Sequence, residues 1–216
     1  MRRICLLLFS MPLSLISFAN NPIQSGTEFT INWITIWLCF FFGLLFTKAF
    51  GYLNRHSKQI DQRSDAALPL SGWVMFLGIN LIARLGIQGY LFWKANYFVK
   101  STWIHLESEG GASFHLFFIF QMFLSLFALT GTGALIYWFY GRRDIFPVMF
   151  VYYACFFLIA NMILMLFNHS ISFPSDMMIL RQVPYLQVFR IVYAAVWVVF
   201  VLKSQNVRQT FVYPFR

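Results

Sequence analysis

Charge is scarce in this chain. Of 216 residues only 11% are Asp, Glu, Lys or Arg, against about 25% in soluble domains, and only seven are acidic. Cysteine is scarce too: three residues, none in a C-x-x-C pair. That excludes a disulfide scaffold and gives no support to a zinc knuckle or a thiol redox pair. No G-x-S-x-G, H-E-x-x-H or phosphate-binding-loop pattern occurs. No polar stretch is long enough for a separate catalytic domain. The long apolar runs contain no Asp or Glu, so the usual proton relay of a pump is missing. They hold no central His pair for a haem and no central Lys for a retinal.

What is present is apolar. Hydrophobic residues make up 60% of the chain and aromatics 21%, with 28 Phe, and the mean hydropathy is +0.68. A soluble fold of this size has too little interior to hide so much apolar surface, so the chain belongs in a lipid bilayer. The net charge is +9, from 16 basic residues. No basic run exceeds two residues, so nucleic acid is not the expected partner. Anionic lipid at the membrane surface is.

The N terminus reads as a secretory leader. Arg2 and Arg3 precede an apolar stretch from Ile4 to Ile16, and Ser17-Phe18-Ala19 supplies small residues at a cleavage site. Residues 1–19 are thus expected to be a signal peptide, the alternative being an uncleaved first helix. Five further apolar runs follow, at about Ile31–Phe50, Gly72–Trp93, His115–Tyr140, Ile145–Phe167 and Tyr185–Leu202. Each is near the ~20 residues that a bilayer requires of a helix. The expected fold is all-α, a polytopic transmembrane bundle of five spans after the leader. Three segments are expected: the leader; an extra span with a cytoplasmic loop at 20–67; and a four-helix membrane domain at 68–213. The stretches between spans, Lys94–Ser113 with Gly110-Gly111 and Asn168–Pro184, read as outer loops.

A cleaved leader places the mature N terminus outside and the C terminus in the cytoplasm. The charges agree independently. Lys48, Arg55, Lys58, Arg63, Arg142, Arg143, Lys203, Arg208 and Arg216 fall on the cytoplasmic side, against Lys94, Lys100 and Arg181 outside. This is the positive-inside asymmetry. Trp37, Trp93, Trp103 and Trp138 lie toward span ends, as an aromatic belt places them.

Arg84 is the residue least suited to lipid. It sits near the middle of the second span, where an Arg costs roughly 2.5–3.5 kcal/mol on insertion scales. Asn80 and Gln88 lie four residues to either side, on the same helical stripe. In the third span Gln121, Ser125, Ala128 and Thr132 recur at helical spacing, and Asn161 is the polar residue of the fourth. The intramembrane polar cluster is therefore read as Asn80, Arg84, Gln88, Gln121 and Asn161. Two roles are open. Arg84 either donates to neighbouring amides and carbonyls as structural glue, or faces an anion or lipid head group in a polar cavity. Arg190 is expected to snorkel to the outer surface. Gly78, Gly86 and Gly89 offer close approach to another helix. His105, His115 and His169, with Glu107, Glu109 and Asp176, share the outer side, but their spacing matches no metal-ligand pattern. No metal or cofactor is expected.

Two short motifs carry a resemblance. Leu70-Ser71-Gly72-Trp73 opens an apolar helix, and the tail reads Lys203-Ser204-x-x-Val207-x-x-Thr210-Phe211-Val212. With four spans between them, residues of about 68–213 resemble the YdgK-like family, bacterial inner-membrane proteins whose domain has no known function. The chain departs from that pattern in its leader and extra span, and in Asn206, where a basic residue is expected. The resemblance implies an integral membrane protein and no catalytic residues. The tail itself is expected either to lie on the membrane surface through Val207, Phe211 and Tyr213, or to dock a cytoplasmic partner. Taken together, the expected function is that of a non-enzymatic accessory or assembly partner, with a protein partner or a second copy of itself. The alternative is a carrier or channel for a small anion or lipid that uses Arg84.

Overall fold

The computed structural model describes residues 30–56, 72–170 and 184–211, excepting the side chains of residues 105–112, 167–170, 184–187, 189, 190, 208 and 209. The expected leader and most of the loop after the first span lie outside the described residues. The regular structure described is helical: α1 Trp33–His56, α2 Gly72–Lys94, α3 Lys100–Tyr140, α4 Phe146–Ser170, α5 Pro184–Lys203 and α6 Gln205–Thr210. Four stretches are long and apolar enough to cross a membrane, Trp33–His56, Gly72–Lys94, Ser113–Tyr140 and Phe146–Leu166, and Ile191–Lys203 is a shorter apolar helix. The protein is an all-α, multi-pass membrane bundle.

Local chemistry sets the helix ends. Asn32 caps α1, its Oδ1 accepting from Thr35 N at 3.3 Å. Gly72 opens α2 at φ +57, a backbone conformation that costs a side chain and that glycine adopts freely. Pro147 and Pro184 fall in the first turns of α4 and α5, where a missing N–H costs nothing. Ser204 breaks α5 from α6 and caps the latter, accepting from Val207 N at 3.4 Å.

Helix α3 is the hub: α1, α2 and α4 pack on it, and α5 packs on α4. The Phe76 and Trp197 rings stack at 6.0 Å and Asn80 bonds Tyr193, so α5 also meets α2. Helices α2 to α5 thus form a ring of four. Helix α1 leans on α3 from outside through Phe42 and Phe46 against Phe123, at 5.3 and 5.4 Å, and through Phe127 against Phe46. Near the start of α1, Asn32 N donates to Phe98 O and Lys100 N to Thr30 O, both at 2.8 Å. The α2–α3 turn is thereby pinned to the first span.

Four expectations are corrected. First, Lys94–Ser113 is not a loop throughout, because helix resumes at Lys100. A straight helix of 12 residues is about 18 Å long. Yet the His115 ring donates to Trp103 O at 3.2 Å and the Trp103 and Phe118 rings are 5.0 Å apart. The run therefore doubles back between residues 104 and 113, the stretch that contains Gly110-Gly111 and where glycines permit a sharp kink. Second, Trp138 is not a belt residue. It is buried, and its indole N–H donates to Asn54 Oδ1 at 3.1 Å. Trp37, Trp73 and Trp93 are exposed, as lipid-facing anchors would be. Third, Gly86 faces open space, whereas Gly78 does permit close packing: a Cβ there would meet Phe139 Cε1 at 2.5 Å. Fourth, the tail's apolar face is not free for a lipid surface or a partner. Val207, Thr210 and Phe211 are buried, with the Phe211 ring 4.7 Å from Phe146 and 5.5 Å from Phe139. Tyr213 lies outside the described residues.

Candidate functional site

Arg84 occupies the midpoint of α2, and the i, i+4 geometry turns Asn80 and Gln88 to the same side of the helix. All three are partly buried. The Gln88 amide is oriented by its neighbours. Arg84 Nε–H can only donate and the Ala128 carbonyl can only accept. The amide oxygen therefore accepts from Arg84 Nε at 3.1 Å, and the amide nitrogen donates to Ala128 O at 3.1 Å and Thr132 Oγ1 at 2.9 Å. Thr132 is fully buried, and its hydroxyl is 2.7 Å from that of Tyr153. Tyr153 in turn donates to Ala128 O at 3.2 Å. With its oxygen already accepting from Gln88, Thr132 donates to the phenol oxygen of Tyr153. Each buried polar atom in this seam across α2, α3 and α4 has a partner, as a low-dielectric interior requires.

Gly131 makes the seam possible. A Cβ at this position would lie 2.7 Å from Tyr153 Cε2, so only a glycine lets the Tyr153 ring cross α3 closely enough to reach Thr132 and Ala128. The same ring carries the charge. The Arg84 guanidinium carbon sits 5.2 Å from the Tyr153 ring centroid and 5.7 Å from that of Phe157, within cation–π range. On the other flank the Asn80 amide donates to the Tyr193 hydroxyl. Between these groups lies a cavity of about 20 Å³, bounded by Asn80, Arg84, Tyr153, Tyr193 and Trp197. It has room for about one water molecule.

The remaining sequence-derived candidates lie elsewhere. Gln121 is 11 residues from Thr132 on the same helix, about 16 Å along the axis. Its Oε1 is buried without a hydrogen-bond partner among the described residues. Nearby, Ser125 donates to Gln121 O at 2.8 Å and meets the Tyr97 hydroxyl at 3.3 Å, a separate polar pair under the α2–α3 turn. Asn161 satisfies itself, donating to Phe157 O at 2.6 Å. The side chains of His105, His169 and Arg190 are outside the described set. Among the described residues no three His, Cys, Asp or Glu come together. The functional residues that sequence reasoning passed over are Tyr153 and Tyr193, whose hydroxyls complete the seam.

A protein-family model matches most of the chain. The family model for a protein of unknown function, DUF2569, covers residues 67–212. The chain belongs to the DUF2569 family. The matched region runs from the start of α2 to the end of α6, so the DUF2569 unit is the ring of four helices with its capping tail, and α1 lies outside it. Both short motifs fall inside it and have a physical reason: Gly72 supplies the positive φ that opens α2, while Ser204 caps α6 so that Val207 and Phe211 seal the ring. No curated protein matches the chain, and no solved structure does.

Proposed function

We propose that this DUF2569 protein is a bacterial inner-membrane protein, akin to the YdgK-like proteins, that works without chemistry of its own as an accessory or assembly partner of a larger membrane complex. Its mature N terminus lies outside and its C terminus in the cytoplasm. The leader-like residues 1–19 and the excess of Lys and Arg on the His56 side of α1 support that orientation. The observation that carries the role is how the mid-membrane polar groups are used. Gln88, Thr132, Tyr153, Asn80 and Tyr193 bond one another across helices. The cavity beside them holds about one water, too little for an organic substrate. Polar groups placed this way fix helix positions, which suits a rigid part that others assemble on. The test is cross-linking in native membranes, followed by purification in mild detergent. A stoichiometric partner, or an oligomer that persists, is expected. A monodisperse monomer with nothing bound counts against the role.

A second reading is favoured by Arg84 itself: a carrier or channel for a small anion or lipid. Asn80 and Arg84 line the cavity, while Gln121 and Asn161 do not, so a path would need a second conformation. Anion flux into liposomes that is lost in Arg84→Ala supports this reading. Flux no greater than in empty liposomes removes it.

A further inference from the structure

We propose that the outward face of α1 is a binding site for one anionic phospholipid, whose phosphate sits at Gly51 between Lys48, Tyr52 and Arg55. The first argument is the face itself. Phe46, Phe50 and Asn54 turn one side of α1 toward α3, where they meet Phe127 and Trp138. Phe41, Leu45, Lys48, Tyr52 and Arg55 follow one another at alternating spacings of four and three, which makes a single stripe. That stripe lies on the opposite side of the helix, and all five residues are exposed.

The second argument is the order along the stripe. Phe41 and Leu45 are apolar, Lys48 and Arg55 carry charge, and Tyr52 brings a hydroxyl. A phospholipid has the same order, with its chains toward the middle of the bilayer and its phosphate at the surface. Helix α1 has 24 residues. That is about 36 Å of helix, against a hydrocarbon core of about 30 Å, so its basic end reaches the head groups. Lys48 lies about 10 Å below Arg55 along the axis. At that depth its stem runs toward the surface and its ammonium meets a phosphate there. The segment that follows, 57–71, holds Lys58 and Arg63 against Asp61 and Asp65, so it brings no net counter-charge.

The third argument is Gly51. It falls three residues after Lys48 and four before Arg55, hence between them on the helix surface. Glycine is an unfavourable choice inside a helix, and close packing does not call for it here: a Cβ would meet nothing within 4 Å. The missing side chain leaves a notch from which a phosphate reaches both cations and the Tyr52 hydroxyl. Apolar chains beside Phe41 and Leu45 and an anion in the notch together describe an anionic phospholipid. The site lies on α1, outside the family match, and is independent of either reading of Arg84.

The experiment places the full chain in nanodiscs of equal phosphatidylglycerol and phosphatidylcholine. Native mass spectrometry counts the lipids that stay bound as the disc is stripped away. The expected result is one retained phosphatidylglycerol, favoured about tenfold over phosphatidylcholine, in line with two basic residues at a membrane surface. Lys48→Gln with Arg55→Gln should abolish the preference. Gly51→Leu keeps both charges but fills the notch, and it should abolish the preference with Tm in pure phosphatidylcholine unchanged. Arg142→Gln with Arg143→Gln should leave the preference as it is. Equal retention of the two lipids by the wild type would overturn the site. So would a preference that survives in Gly51→Leu, or one that falls as far in the Arg142 and Arg143 variant, since either means a diffuse basic collar. A lipid-free dimer would show that a second copy covers the face, and retention seen only after Asp61→Asn with Asp65→Asn would show that the loop does. Both outcomes overturn the proposal.

Discussion

The hydroxyls of Thr132 on α3 and Tyr153 on α4 lie 2.7 Å apart, and both are buried. Through Gln88 the pair is joined to Arg84, and through the Tyr153 ring it is joined again. One residue pair thus binds three helices and shelters a charge that lipid would not accept. The first prediction concerns how that pair is held. Gly131→Ala pushes a Cβ against a rigid ring. Overpacking of this kind costs about 1–3 kcal/mol, so a clear drop in Tm is expected. Gly133 has open space where its Cβ would be, and Gly133→Ala should leave Tm unchanged or slightly raised. Equal Tm for the two variants would show that Tyr153 is not seated over Gly131. Thermal unfolding in detergent decides it.

The second prediction concerns the tail. Phe211 is fully buried between Phe139 and Phe146. Removing a buried Phe costs about 3–5 kcal/mol in cores. In Phe211→Ala the tail helix should detach, so limited proteolysis should clip the chain after α5 much faster than in the wild type. A tail that lay on the lipid surface would instead be cleaved at the same rate in both.

The third prediction is topological. In a Cys-free background a single cysteine at Arg142, in the α3–α4 turn, should react with an impermeant thiol reagent only after the cytoplasmic face is opened. A cysteine at Asn96, in the α2–α3 turn, should react in intact cells. The opposite pattern would invert the proposed orientation.

Much of this arrangement is legible in the residues alone. The spans follow from apolar length, and the stripe Asn80–Arg84–Gln88 follows from the helical period. Ala128 and Thr132, read as one face of the third span, do meet Gln88. Tyr153 and Tyr193 escaped because an aromatic ring inside an apolar run reads as core, and nothing in the run tells which way its hydroxyl points. The pairing of Gly131 with Thr132 was the available signal, a small residue beside a hydroxyl. Gln121 shares the helical stripe of Ser125, Ala128 and Thr132, and Asn161 is the polar residue of the fourth span, but which neighbour each side chain meets is a tertiary fact that helical spacing does not give. The doubling back before Ser113 was hidden for a similar reason. Gly110-Gly111 signals a bend, but only the contact of Trp103 with His115 and Phe118 shows that the chain returns on itself.

The most direct test of the central claim, that the Arg84 seam is sealed within the bundle, is thiol accessibility. Asn80→Cys, Arg84→Cys and Gln88→Cys are made singly without the native cysteines, folding is verified, and labelling by an impermeant reagent is measured from each side of the membrane. The account predicts no labelling at any of the three from either side, with a cysteine at Asn96 reacting as the positive control. Rapid labelling at position 84 would mean a water-filled path to the middle of the membrane and would contradict it.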